Sequence, residues 1–118
     1  MARILYGDDD GEQLRLFRIL LESQGHELLT AAAPAEVLQL LAEGPPDLVI
    51  VDLRFPTHEE GVSLLYAIRD SGCEAPVILL SGAADTVQGS PEEKLVDRLM
   101  MKPALVPELL RAIDELTC

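Results

Sequence analysis

Acidic, hydroxyl and ammonium groups recur at four points of this chain, each just past a short apolar run. Asp8 and Asp9 follow Ile4-Leu5-Tyr6, Asp52 follows Leu48-Val49-Ile50-Val51, Ser81 follows Val77-Ile78-Leu79-Leu80, and Lys102 follows Leu99-Met100-Met101. If these runs are parallel strands of one sheet, the four points share one sheet edge. Three carboxylates there would crowd like charges, which raises a pKa or recruits a hard cation. Magnesium suits such a cluster, since it takes oxygen ligands and keeps several waters. A carboxylate held ionised against that ion can attack phosphorus. Asp52 would then be the nucleophile, while Lys102 and the metal neutralise the transferring oxygens and Ser81 donates its hydroxyl to one of them. Positioning and electrostatics are what the chain supplies in such chemistry.

Taken singly, each group has an ordinary role. Acids ahead of a helix act as caps and dipole partners, which would explain Asp8-Asp9-Asp10. An Asp often ends a strand, Ser-Gly is often a turn, and Lys102 before Pro103 can be a solvated lysine at a helix entry. The coincidence of all four at the ends of four central strands favours the chemical reading.

The elements that must position these groups follow from apolar spacing. Ile4-Leu5-Tyr6 breaks at Gly7 and the acids, and a helix follows from Asp10 or Gly11, with Leu14, Phe17 and Leu21 at i, i+3 and i+7. Gly25 reads as its stop, before a second strand over residues 26–31. Pro34 suits the first turn of a second helix, with Val37, Leu38 and Leu41 inward and an end at Gly44. Leu48-Val49-Ile50-Val51 and Pro76-Val77-Ile78-Leu79-Leu80 are continuous apolar runs, expected of strands covered on both faces. Between them, residues 59–70 form a third helix with Leu64, Leu65 and Ile68 inward. Gly89-Ser90-Pro91 interrupts residues 83–95, which predicts a short or broken fourth helix restarting at Pro91-Glu92-Glu93 with Ser90 as cap. Residues 96–101 make a fifth strand, and Leu105, Leu109, Ala112 and Leu116 mark the inner stripe of a closing helix. The alternation predicts one α/β domain over residues 1–118. Its form is a flavodoxin-like (βα)5 doubly wound parallel sheet of strand order 2-1-3-4-5.

Composition limits the partners. With 118 residues and 48% hydrophobic content the chain can bury a core without disulfides or a structural metal. A formal net charge of -12, from 21 acidic and 9 basic residues, repels nucleic-acid phosphates and anionic membranes, so neither is expected as a direct partner. Cys73 and Cys118 show neither metal-type spacing nor a secreted disulfide framework. The first residues meet acids before a signal-peptide apolar region develops, and no run approaches the ~20 apolar residues of a membrane span. A cytoplasmic location is expected. His26 and His58 lack ligand-like spacing and read as surface residues. Met100 and Met101 read as one inward and one outward strand residue.

These segments together resemble the receiver domain of two-component response regulators, the chemotaxis-regulator-like fold, from end to end. Ile4-Leu5-Tyr6-Gly7-Asp8-Asp9-Asp10 is similar to its first strand and acid pair, and residues 25–31 to its second strand. Leu48-Val49-Ile50-Val51-Asp52-Leu53-Arg54-Phe55-Pro56 is similar to its phosphoacceptor segment, with Leu79-Leu80-Ser81-Gly82 and Met101-Lys102-Pro103 completing the set. The resemblance implies that Asp52 receives a phosphoryl group from a histidine of a sensor histidine kinase or histidine phosphotransfer protein. It implies direct magnesium ligation by Asp9 and Asp52, with Asp8 acting largely through water and the Arg54 backbone carbonyl completing the protein ligands. Ser81 and Lys102 would contact the phosphoryl group. The output would be a shift of conformation and of binding to a downstream protein or fused domain. Such a chain is a phosphorylation-switched signalling domain, not an enzyme of turnover.

Several positions depart from that pattern. Leu99 stands where the family often has an aromatic that swings inward with the Ser/Thr, which argues against the usual aromatic switch. Residues 85–95 are short and broken for a full fourth helix, which adds weight to stand-alone or partner-docking behaviour over dimerisation through that face. Gly61 follows Asp52 by one position more than usual, which implies a longer loop beside the site. Arg54 sets a cation near the acids, either reaching the phosphoryl group or an acid, or solvated. Two other readings stand beside the switch. A haloacid-dehalogenase-like phosphatase would use Asp8-Asp9-Asp10 with Asp8 as nucleophile, although the chain lacks the cap insertion and late acidic pair of such enzymes. A pseudo-receiver would bind partners without being phosphorylated.

Overall fold

The structure is a computed structural model that describes residues 2–82, 87–102 and 106–117. Strands β1 (Arg3–Gly7), β2 (Glu27–Ala31), β3 (Leu48–Asp52), β4 (Val77–Ser81) and β5 (Arg98–Met101) alternate with helices α1 (Gly11–Ser23), α2 (Pro34–Glu43), α3 (His58–Asp70) and α4 (Val106–Thr117). The sheet is parallel throughout, in the order β2-β1-β3-β4-β5 expected from the sequence. All five residues of β3 and of β4 are buried, as two-sided cover of a continuous apolar run requires. On one face, Ile4, Tyr6, Ile50, Ile78 and Leu80 pack under Phe17 and Leu21 of α1 and Leu109, Ala112 and Ile113 of α4. On the other, Leu5, Val49, Val51 and Leu79 pack under Val37 of α2 and Leu64, Leu65 and Ile68 of α3. Among the described residues no helix is long and apolar enough to cross a membrane.

Local chemistry sets most boundaries. Asp10 caps α1 by accepting from Glu12 N at 3.0 Å, and Gly25 takes a φ of 88° just beyond the helix, where a side chain would be strained. Thr57 caps α3 through its Oγ1, which accepts from Glu60 N at 3.1 Å, so α3 begins one residue earlier than expected, at His58. Met100 packs against the core while Met101 is 64% exposed, as the alternation of a strand demands.

In place of a fourth helix before β5, the described residues hold a 3-10 turn, Pro91–Leu95, matching the broken segment anticipated there. Ser90 precedes it in extended conformation, but its hydroxyl caps nothing in the turn. It donates to Val87 O at 2.6 Å instead, so the expected cap is replaced by a bond that closes the preceding loop. Residues 83–86, Pro103, Leu105 and Cys118, to which sequence expectations also attach, lie outside the described residues. Strand β5 starts at Arg98, two residues later than expected, and Asp97 just before it is tied to β4 through both backbone and side chain, its N–H donating to Val77 O at 2.9 Å. Its carboxylate accepts from Val77 N at 2.8 Å and from Arg69 at 3.1 Å.

Arg69 ties this region together. Its guanidinium also donates to Leu95 O at 3.1 and 2.9 Å, to Cys73 O at 3.1 Å and to Ala75 O at 2.8 Å, joining the end of α3, the entry to β4 and the end of the 3-10 turn. Arg69→Ala strands three part-buried carbonyls and is expected to lower stability by about 2–3 kcal/mol. Arg98→Ala, which loses only an exposed ion pair to Glu115, is expected to lower it by less than about 1 kcal/mol. Urea unfolding of the two variants checks the contrast, and equal losses would remove Arg69 from this role.

Candidate functional site

Strand register brings the chemical groups level. Gly7 pairs with Val51, so Asp8 leaves β1 beside Asp52 at the end of β3. Asp52 pairs with Leu80 and Ser81 with Met101, which places Ser81 and Lys102 at the same edge. The Lys102 N–H donates to Ser81 O at 2.7 Å, extending the β4–β5 ladder to the site.

The acids divide their duties. Asp10 takes the capping role, and Asp8 and Asp9 are left to the sheet edge. Asp8 is 0% exposed, and both of its carboxylate oxygens are engaged: Oδ2 accepts from the Tyr6 hydroxyl at 2.7 Å and Oδ1 from Asp10 N at 3.0 Å. Asp9 is exposed. Asp52 is buried, its Oδ2 accepting from Lys102 Nζ at 2.5 Å and its Oδ1 from Arg54 N at 3.2 Å. One carboxylate oxygen each from Asp8, Asp9 and Asp52 lies within 4.8 Å of the others. They open onto a pocket of 330 Å³ whose walls also include Arg54, Gly82 and Lys102. Two buried acids and one exposed acid around an open pocket fit a hard, partly hydrated cation better than a fully caged one.

Electrostatics agree with the geometry. Burial pushes the Asp52 carboxyl above the usual range and Asp8 adds to the shift, while Lys102 and the Arg54 N–H pull it back. Burial alone would lower the Lys102 ammonium, but Asp52 and then Asp8 raise it overall. The pair is therefore a buried acid held by a committed cation. Lys102 Nζ also lies 3.9 Å from Asp8 Oδ2, near enough for attraction while its hydrogen bond goes to Asp52.

The structure thus brings Asp8, Asp9, Asp52 and Lys102 together, with Arg54 contributing its backbone to Asp52 and its side chain exposed at the rim. Ser81 is buried at the end of β4. The histidines stay apart from this group. His26 is a structural acceptor, taking the Ala2 N–H on Nδ1 at 3.1 Å, and His58 opens α3. Leu99 packs on the α2/α3 side of the sheet among aliphatic residues. Tyr6 was not among the residues singled out by sequence, where it reads as one more apolar strand position. The available signal was its spacing: residues two apart on a strand share a face, and a buried tyrosine hydroxyl requires a partner.

Comparison with known proteins agrees with this geometry. The family described as response regulator receiver domain matches residues 4–114. The transcriptional regulatory protein KdpE of Mycobacterium tuberculosis is 40% identical over 86 residues, covering 73% of this chain and 37% of KdpE. PrrA of Mycobacterium bovis is 32% identical over 117 residues, covering 97% of this chain and 49% of PrrA. The chain thus spans about half or less of the length of these relatives. Among solved structures, the Francisella response regulator 1452 receiver domain superimposes with a TM-score of 0.87 at 26% identity, covering 99% of this chain and 97% of that one. Response regulator TrrA of Thermotoga maritima, solved in complex with Mg(2+)-BeF, gives 0.85 at 29% identity, covering 98% and 99%. With a family match over nearly its whole length and a sheet of the same order, this chain belongs to the response regulator receiver domain family.

Proposed function

We propose that residues 1–118 form a single receiver domain whose Asp52 accepts a phosphoryl group from a phosphohistidine in a magnesium-dependent transfer. The observation that carries this reading is the pairing of the buried Asp52 with Lys102 beside two further acids at one sheet edge. In the transfer, the P–N bond of the donor breaks as an Asp52 oxygen forms the P–O bond of an acyl phosphate. Lys102 follows the charge from the carboxylate to the phosphoryl oxygens, and the Ser81 hydroxyl donates to one of them. Asp8, Asp9, Asp52 and the Arg54 carbonyl would hold Mg2+, which when bound neutralises phosphoryl charge. TrrA, solved with Mg(2+)-BeF at 29% identity, supports that choice of ion.

The upstream partner in this reading is a sensor histidine kinase or histidine phosphotransfer protein in the cytoplasm. Phosphorylation then biases a conformational equilibrium read by a downstream protein or fused domain. The acidic receiver surface itself makes no nucleic-acid or membrane contact. A phosphatase using Asp8 as nucleophile is disfavoured, because Lys102 Nζ lies 3.9 Å from Asp8 against 2.5 Å from Asp52, the acid it is placed to neutralise. The complete Asp, Ser and Lys set disfavours a pseudo-receiver.

Intact-mass spectrometry after incubation with a small-molecule phosphodonor tests the proposal. One phosphoryl group is expected with Mg2+ and none with chelator present; no adduct under conditions where Mg2+ binds would favour the pseudo-receiver. Binding itself has a thermal signature. At a tenfold excess over its Kd, Mg2+ is expected to stabilise the fold by ~1.4 kcal/mol, a shift of several degrees in Tm. An unchanged Tm across the millimolar range would count against the metal site.

A further inference from the structure

We propose that Tyr6 is a positioning residue, its buried hydroxyl locking the Asp8 carboxylate in the orientation that the acid cluster requires. The inference rests on the metal-site reading above and extends it to a side chain outside the acid, Ser and Lys set.

Tyr6 sits in β1 between Thr30 of β2 and Ile50 of β3, wholly buried, with its ring stacked on Phe17 of α1 at 4.2 Å and 9°. Strand and stack together fix where the ring points, so the hydroxyl has one direction available. It donates to Asp8 Oδ2 at 2.7 Å, a charge-assisted bond in a dry setting. With Asp10 N on Oδ1, the Asp8 carboxylate is held at both oxygens, and turning it breaks two bonds. The same Oδ2 lies 3.9 Å from Lys102 Nζ. Without Tyr6, that oxygen would turn to Lys102 for its missing donor and compete with Asp52 for one ammonium. Tyr6 therefore does two things: it aims Asp8 and leaves Lys102 to Asp52.

Outer partners that orient a ligating carboxylate typically change metal affinity by about 10–100-fold when removed. Calorimetric Mg2+ titration of the full chain, without phosphodonor, is expected to show about tenfold or weaker binding in Tyr6→Phe. In metal-free protein, the Asp10 amide resonance should move, since its acceptor is the carboxylate that Tyr6 holds. Leu21→Val, which loosens the same core without touching the hydroxyl, should lower Tm and keep the affinity. Wild-type affinity together with an unmoved Asp10 amide in Tyr6→Phe would overturn the proposal, as would an equal loss of affinity in Leu21→Val. If the wild type itself binds no Mg2+, the metal-site reading fails, and the metal-free Asp10 amide still decides whether Tyr6 orients Asp8.

Discussion

Asp52→Asn is expected to leave a folded protein that takes up no phosphoryl group. The amide keeps the size and shape of the carboxylate, so the packing around a buried position is retained; its single oxygen can accept from Lys102 or from Arg54 N, but not from both as the two carboxylate oxygens do. What is lost is the charge and the nucleophilic oxygen, and no other carboxylate is placed to substitute. Asp8 lies 3.9 Å from Lys102 where Asp52 lies 2.5 Å from it, and Asp9 lacks the Lys102 partner that would neutralise the product. Intact mass of wild type and variant, each with phosphodonor and Mg2+, should give one adduct and none. An adduct surviving in Asp52→Asn but lost in Asp8→Asn would transfer the nucleophile to Asp8 and revive the phosphatase reading.

The edge of the sheet was legible in sequence because its cause is local. Leu48-Val49-Ile50-Val51 and Val77-Ile78-Leu79-Leu80 have no polar alternation, and only central strands of a covered parallel sheet accommodate that. Once those two are parallel neighbours, Asp52 and Ser81 must leave the sheet at one edge, and the acids after β1 must meet them there. Capping was legible in part. Asp10, one of the acids read as caps, caps α1 through short-range geometry, whereas Ser90 precedes only a 3-10 turn and its hydroxyl donates back to Val87 O; the Thr57 cap of α3 was not anticipated.

What sequence left hidden depends on distant partners. Arg69 in the last turn of α3 looks like a dipole partner, and nothing near it in the chain indicates that Leu95 O and Asp97 will fold against it. The bond of Tyr6 to Asp8 is close in sequence, but its meaning depends on a ring held by Phe17 across the helix–sheet interface.

Gly61→Ala is expected to destabilise the fold by at least about 3 kcal/mol, against the sign that helix propensity alone would give. In an unencumbered helix interior, alanine is favoured over glycine by roughly 0.5–1 kcal/mol. Gly61 is encumbered. A Cβ there would lie 1.6 Å from Leu53 O and 2.6 Å from Leu53 C, both backbone atoms. Neither side can yield easily, since Gly61 N is bonded to Thr57 O at 2.9 Å and Leu53 N to Leu80 O at 2.8 Å. The position of Gly61 in the sequence suggested a longer loop, while the contact gives the reason for the residue: α3 starts directly against the backbone that follows Asp52. Gly11→Ala, at an α1 position with nothing within 4 Å of the added Cβ, should instead be neutral or stabilising by up to about 1 kcal/mol. Urea midpoints of the two variants measure the difference. A Gly61→Ala protein within about 0.5 kcal/mol of wild type would show that α3 can back away from Leu53. Because the clash falls on the backbone of the residue between Asp52 and Arg54, phosphorylation of whatever Gly61→Ala protein remains folded is expected to fall as well where relief comes from moving Leu53, linking the packing of α3 to the position of Asp52.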